Sequence, residues 1–275
     1  MSTKKPGGHP ARAAQAEDAR EARRAKAAAM RRRELAKERS RRVLLISIAV
    51  VVVLAVVAVV AVVIDRSRED DVALAAQAVP PSAGAQGAGY VLPGTPVDGA
   101  PTLDVWLDYQ CPVCKRFETA AGDAVVELAS SGQARVVVHT LTFLDGNLGN
   151  DSSQRAAEAA AAADAQGRFV EFNAATFAAQ PDEGVGYTVA DLRAIARTAG
   201  VPDLDAWQEA VEGHAYRDYV NSVADTMQDN GVTGTPTVTV TPAGGQKQEI
   251  PTEQLLGADP AGALQAAVAA ATTTP

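Results

Sequence analysis

The sequence predicts an α/β domain preceded by a single transmembrane helix and a flexible linker. Three observations support this: a long uncharged apolar run near the start, a strand-helix-strand pattern in the middle of the chain, and two cysteines where that strand meets that helix. The predicted segments are a basic cytoplasmic part at 1–42, the transmembrane helix at 43–64, the linker at 65–95 and the folded domain at 96–275.

The apolar run at 43–64 has 22 residues, and Ser47 is its only polar side chain. At 1.5 Å per residue, a helix of this length crosses the ~30 Å hydrocarbon core of a bilayer. A cleavable signal peptide is the alternative, but its apolar part should span about 7 to 15 residues and be followed by small residues. A charged stretch at 65–71 follows instead, which favours an uncleaved anchor.

The segment before this run has a net positive charge, whereas the rest of the chain is acidic. Residues 1–42 contain 14 Lys and Arg against 5 Asp and Glu, whereas the whole chain has a net charge of -8. Such a segment alone would suggest nucleic-acid binding, but Arg39, Arg41 and Arg42 abut the apolar run, and basic residues next to a span stay on the cytoplasmic side. We therefore expect an inside N-terminus, an outside domain and no nucleic-acid partner.

The linker at 65–95 passes from charged residues into a stretch rich in Pro, Gly and Ala at 79–89. It has no periodic apolar face that a core would bury, so we expect a flexible tether. Such a tether lets the domain reach partners near the outer surface of the membrane.

The only two cysteines of the chain, Cys111 and Cys114, are three residues apart. Residues at this spacing share one helix face, so their Cα atoms fall within the about 4.4 to 6.8 Å that a disulfide bridges. An extended apolar stretch precedes them and a helix-forming stretch follows, which places Cys111 at a helix N-terminus. A thiolate is favoured there, with pKa values of about 3.5 to 7.5. Pro112 fits the first helical position.

Periodicity predicts the other elements in order. We expect a strand at 103–107, a helix from 112 to about 129, and a second strand, parallel to the first, at 134–143. A largely helical stretch at 152–229 should follow, with segments at 156–165, 167–179, 189–199 and 205–228. Its expected N-caps are Thr188, Asp203 and Asp205. A hairpin of strands at 235–241 and 246–250 and a helix at about 260–271 complete the domain.

Two motifs resemble those of the membrane-anchored, actinobacterial type of DsbA-like protein. They are Asp-Tyr-Gln-Cys-Pro-x-Cys-Lys, which begins at Asp108, and Gly-Thr-Pro-Thr-Val at 234–238. The resemblance covers about residues 90–272 and implies a thioredoxin fold with a helical insertion, working without metal or cofactor. It also implies a cis bond before Pro236. The backbone of Thr235 would then lie beside the cysteines and pair with an extended substrate peptide.

The order of the cysteines along the helix predicts their roles. Cys111, nearer the helix end and more exposed, is expected to be the nucleophile, and Cys114, one turn deeper, the thiol that resolves the mixed disulfide. An inert disulfide and half a zinc site are the alternatives. A zinc site needs about four ligands, and the only histidines are His9, His139 and His214. His9 is predicted to lie across the membrane, so redox chemistry is favoured.

Three residues depart from the family pattern. Val113 stands where DsbA has a histidine that stabilises the thiolate, so strong oxidising power does not carry over. Val105 stands where many relatives have a buried carboxylate that accepts the proton of the resolving cysteine. Asp104 and Asp108 are the nearby carboxylates, and the sequence does not decide which group, if any, accepts the proton of Cys114. Thr235, the third departure, occurs before the proline in isomerases and reductases too.

The sequence therefore predicts an extracytoplasmic, membrane-anchored thiol-disulfide oxidoreductase that acts on exported proteins and needs a redox partner to regenerate its cysteine pair. Arg outnumbering Lys, with abundant Ala and Val, fits a high-GC bacterium and the cell-wall side of an actinobacterial membrane. Two alternatives remain. One is a reductase for a maturation pathway such as cytochrome c assembly, and the other is a tethered, non-catalytic binding module.

Overall fold

A five-stranded mixed sheet lies at the centre of the structure, a computed structural model that describes residues 78–272. The strands are β1 (Tyr90–Val91), β2 (Thr102–Asp108), β3 (Arg135–Leu141), β4 (Thr237–Thr241) and β5 (Gln248–Glu249). Their order in the sheet is β1-β3-β2-β4-β5. Strands β2 and β3 are parallel, and the other neighbours are antiparallel.

The helices flank this sheet and form a block between β3 and β4. They are α1 (Pro112–Ser130), α2 (Phe143–Leu148), α3 (Ser152–Asp164), α4 (Phe169–Ala178), α5 (Val189–Thr198), α6 (Leu204–Glu212), α7 (Arg217–Asp229), α8 (Thr252–Leu255) and α9 (Pro260–Thr272). None of those within residues 78–272 is long and apolar enough to span a bilayer. The predicted basic segment and transmembrane helix lie outside the described residues.

The predicted strand-helix-strand unit is confirmed by β2, α1 and β3. Strand β2 is the central strand, and its register pairs Leu103 with Val136 and Trp106 with Thr237. Helix α1 buries Phe117, one of its predicted apolar positions. Because β2 is central, the chain that leaves its carboxyl end enters α1 at the middle of one sheet edge, where α/β folds place their sites.

The predicted helical insertion is also confirmed, with α3 at its centre. Every residue of the run 156–163 is buried. Alanine side chains are small, so five helices and β3 approach the α3 backbone. Trp207 of α6 comes close enough for its indole N–H to donate to the carbonyl of Ala159 at 3.0 Å.

Helix ends agree with two of the three predicted caps. Thr188 forms a full capping box, and the Asp203 side chain accepts from two N–H groups in the first turn of α6. Asp205 is wrong as a cap, because it lies inside that turn. The predicted helix at 205–228 is in fact two helices, and the chain between them turns through His214 in the left-handed region, with φ 52°.

Other boundaries differ from the prediction at short elements. The strand predicted at 134–143 ends at Leu141, and Phe143 begins the short helix α2. Strand β4 begins at Thr237, two residues later than predicted. Helices α2 and α8 have six and four residues, too short for a 3.6-residue periodicity to show in the sequence.

The predicted flexible linker is wrong for its last part, 78–92, which belongs to the folded domain. Tyr90 is fully buried, and its ring stacks on Phe169 with centroids 4.0 Å apart. The N–H and hydroxyl of Ser82 both donate to the carboxylate of Asp164. The sequence of this stretch shows no apolar periodicity, because single side chains rather than a repeating apolar face attach it to the domain.

We expect Tyr90→Ala to lower the free energy of unfolding by about 3 to 5 kcal/mol, the usual cost of removing a buried aromatic ring. Tyr90→Phe keeps the stacked ring and should retain most of the stability. Urea unfolding of the purified protein compares the two variants. An unchanged midpoint for Tyr90→Ala would show that this stretch is a tether after all.

Candidate active site

The two cysteines lie where β2 ends and α1 begins. Cys111 is the N-cap residue of α1, with an extended backbone at φ -76° and ψ 115°, and Pro112 is the first helical residue, as predicted. The Cys111 N–H donates to the carbonyl of Asp108 at 3.0 Å, and the Cys111 carbonyl accepts from the Lys115 N–H at 3.2 Å. The N–H groups of Val113 and Cys114 in the first turn act on the Cys111 sulfur.

The structure also shows the predicted order of exposure. Both cysteines are free thiols. Cys111 keeps 7% of its surface accessible, whereas Cys114 is completely buried. An attacking sulfur from another molecule therefore has a path to Cys111 alone.

The environment separates the acidities of the two sulfurs. A hydrogen bond from the Cys114 thiol, with further contributions from Thr235 and the N–H groups of Cys114 and Val113, lowers the pKa of Cys111 to about 6 despite its burial. Burial, and after it the neighbouring Cys111, raises the pKa of Cys114 well above its ordinary value. At neutral pH Cys111 is a thiolate and Cys114 a protonated thiol.

Thr235 and Pro236 lie beside the cysteines, because they precede β4, which pairs with β2. The Thr235–Pro236 peptide bond is cis, which confirms the expectation. The Cys111 thiol lies 3.4 Å from the carbonyl oxygen of Thr235. Because Thr237 pairs with Trp106 in the sheet, the residues just before β4 necessarily lie beside those just after β2.

Val113 is half-buried in the first turn of α1, and Pro112 is exposed. The influence of Val113 on the nucleophile passes through its N–H group. The Val113 side chain carries no charge, so the lowered pKa of Cys111 has other sources.

Two residues of the insertion that the sequence did not indicate also contact the site. Gln180, in the connection from α4 to α5, donates its side-chain amide to the carbonyls of Tyr109 and Cys111, at 2.8 and 3.0 Å. The Tyr187 hydroxyl lies 3.3 Å from the same Tyr109 carbonyl. Neither residue stands in a motif, so only the folded chain reveals that the insertion holds the backbone around Cys111.

The carboxylates near β2 are engaged elsewhere. Asp108 is fully buried, and burial raises its pKa to about 6. Its oxygens accept from the Ser153 hydroxyl and from the N–H groups of Gln110 and Leu144. Asp104 pairs with His139 at 3.0 Å. Asp108 thus ties the start of the insertion to the loop before Cys111, and the described hydrogen bonds of neither carboxylate reach Cys114.

A second, half-buried acid lies one turn beyond Cys114. Burial raises the pKa of Glu118 to about 7. Its carboxylate accepts from the Asn173 side chain at 2.9 Å, and the Asn173 oxygen accepts from the Tyr109 hydroxyl at 3.0 Å. This chain of hydrogen bonds connects α1 and α4 below the site, and the sequence offered no signal for it because its members are far apart.

Fold and site together define a thioredoxin-type domain with a dithiol at the start of its first helix. A family model described as thioredoxin matches residues 97–252. The chain belongs to the thioredoxin family.

Solved structures agree in fold at low sequence identity. BdbD from Bacillus subtilis is 19% identical with a TM-score of 0.55, over 72% of this chain and 99% of that one. MdbA, a thiol-disulfide oxidoreductase from Actinomyces oris, is 23% identical with a TM-score of 0.51, over 62% and 80%. DsbG from Mycobacterium tuberculosis is 25% identical with a TM-score of 0.49, over 67% and 93%. No curated protein gives a significant match.

We expect the reduced protein to titrate one thiol with a pKa of about 6, measured by the ultraviolet absorbance of the thiolate. Cys114→Ala removes the largest source of stabilisation, so the pKa of Cys111 should rise toward the value of a free thiol, about 8.5. Cys114→Ser keeps a hydrogen-bond donor and should raise it less. Equal values in the wild type and Cys114→Ala would contradict the assigned cause.

Proposed function

We propose that this protein is a membrane-anchored, extracytoplasmic thiol-disulfide oxidoreductase that acts on exported proteins through Cys111 and Cys114. The observation that carries the proposal is the contrast between the two sulfurs. One is accessible with a lowered pKa, and the other is one turn deeper, buried and protonated. Thiol-disulfide exchange needs this combination of an accessible sulfur and a shielded one.

The exchange proceeds in two displacements. A client thiolate attacks the Cys111 sulfur of the oxidised pair, the bond between Cys111 and Cys114 breaks, and the Cys114 sulfur leaves and takes up a proton. A second client thiolate then attacks the client sulfur of the mixed disulfide and releases Cys111 as a thiolate. The client loses two electrons and the enzyme gains them, so a separate redox partner must oxidise the pair again.

The lowered pKa of Cys111 favours the oxidising direction over the reductase alternative. A thiol of low pKa is the better leaving group, which speeds release of the oxidised client, and a stabilised thiolate favours the reduced enzyme. Val113 contributes no charge, so we expect this preference to be weaker than in a protein with a histidine there.

Thr235 is the proposed contact for the client backbone. The protonated Cys111 thiol lies within donor distance of the Thr235 carbonyl, at 3.4 Å. The thiolate has no proton to donate, and in the mixed disulfide the sulfur has none either. The carbonyl is then free to accept an N–H from an extended client segment, in the way that a sheet edge accepts an added strand.

We expect Cys111→Ser to abolish exchange with both glutathione and a reduced, unfolded client, because the attacked sulfur is gone. Cys114→Ser has no internal disulfide, but with oxidised glutathione its Cys111 thiolate should still attack, release one glutathione thiolate and accumulate the mixed disulfide, since no Cys114 thiol is present to resolve it. Non-reducing electrophoresis and mass spectrometry distinguish these results.

Limited alkylation provides the control for these assignments. With reagent below one equivalent, Cys111 should be modified first. Preferential labelling of Cys114 would reverse the roles. A wild-type protein that exchanges with neither compound, yet binds the client, would instead support the tethered binding module.

The membrane placement rests on the sequence at 1–64. We propose one crossing at 43–64, with the basic residues inside and the catalytic domain on the cell-wall side of an actinobacterial membrane. We expect reporter fusions after residue 71 to be active only outside the cell. Recovery of a mature protein in the medium, cleaved near residue 79, would show that the apolar run is a signal peptide.

A further inference from the structure

An apolar groove of about 730 Å³ lies between α4, α5 and the connection that joins them. Buried Tyr187 and Ile195 contribute to its lining, together with exposed alanines of both helices. Val185 at the groove is 74% exposed, more than the other exposed large hydrophobic residue among residues 78–272, Val97. A side chain of this kind left in water, beside an open apolar groove, is typical of a binding surface.

The groove is joined to the active site through the connection itself. Pro181 lines the groove and directly follows Gln180, whose side chain contacts the Cys111 carbonyl. Tyr187 also lines the groove, and its hydroxyl lies near the Tyr109 carbonyl. The groove therefore lies on the same connection whose buried side chains contact the backbone at and before Cys111.

The charged residues that line the groove and the depression beside it are acidic, while Lys115 and Arg155 donate to the Gln180 and Tyr187 carbonyls of the connection. Asp191 lines the groove and is ionised, because hydrogen bonds from the hydroxyl and the N–H of Thr188 lower its pKa. Asp182 and Glu183 are exposed and line a small adjoining depression. No basic residue lines either of the two. The surface therefore suits an apolar segment with positive charges beside it.

We propose that this groove binds an extended segment of the client polypeptide, through an apolar side chain flanked by Lys or Arg, while a client cysteine reacts at Cys111. The inference rests on the proposed function and extends it to substrate selection. Burial of the apolar side chain provides affinity, and the acidic lining residues select basic over acidic clients.

The test uses the full chain in detergent with two kinds of thiol substrate. One is glutathione, which has no segment to bind, and the other is a set of unfolded cysteine peptides. The first peptide has one Phe and two Lys near its cysteine, the second replaces Phe by Ser, and the third replaces both Lys by Glu. Exchange rates are compared for Val185→Ser, for Ala194→Phe, which fills the groove from an exposed position, and for Asp182→Asn combined with Glu183→Gln.

We expect Val185→Ser and Ala194→Phe to slow exchange with the first peptide about fivefold, with the rate for glutathione unchanged. The charge variant should reduce the preference for Lys over Glu peptides about threefold and weaken its dependence on salt. Val97→Ser is the matched control, since it also removes an exposed valine but does not line the groove. It should behave as the wild type.

The outcomes separate the inference from the function on which it rests. Unchanged peptide rates in the groove variants, with normal exchange, overturn the inference and leave the oxidoreductase intact. Absence of exchange even with glutathione in the wild type overturns both. Sedimentation provides a further check: a dimer that Val185→Ser dissociates would assign the groove to a second copy of the chain and overturn client binding.

Discussion

The site depends on the pairing of β4 with β2. Because Trp106 is opposite Thr237, the residues that precede β4 lie beside those that follow β2, and the Thr235 carbonyl meets the Cys111 sulfur. Neither segment makes the site alone. Helix α1 supplies Cys111, and the segment just before β4 supplies the Thr235 carbonyl that lies 3.4 Å from its sulfur. A shift of this register by one residue would move Thr235 away and turn every side chain of β4 to the opposite face.

The helical insertion contributes more than bulk, because it holds the residues before Cys111 at several points. Gln180 and Tyr187 both contact the Tyr109 carbonyl, and the Asp108 carboxylate accepts a hydrogen bond from the Ser153 hydroxyl at the start of α3. Buried polar groups cost free energy unless they are paired. The insertion therefore provides hydrogen-bond partners for the turn that leads into α1. A movement of the connection between α4 and α5 would change the backbone position at Cys111.

Local patterns explain what could be predicted from the sequence. The apolar run of β2, the cysteine spacing and Pro112 each act over a few residues, so the strand, the helix start and the cysteine pair are recognisable without the fold. The resemblance of the motifs to a known family added the prediction of a cis bond at Thr235–Pro236. Tyr90 and Gln180 escaped prediction because each acts through tertiary contacts, Tyr90 from a strand of only two residues and Gln180 from the connection between α4 and α5. The break at His214 escaped because the apolar pattern of 205–228 continues across it.

The contrast between two chemically identical side chains follows from one turn of helix. The Cys111 sulfur accepts hydrogen bonds from N–H groups at the helix start and from the Cys114 thiol. Cys114 is buried and stays protonated as the donor of that hydrogen bond. The residue between Pro112 and Cys114 adds an N–H, which any residue other than proline provides. Exchanging Val113 for another neutral residue thus leaves the main sources of thiolate stabilisation in place. A cationic residue there would add to them, so we expect this position to affect oxidising strength and not whether exchange occurs.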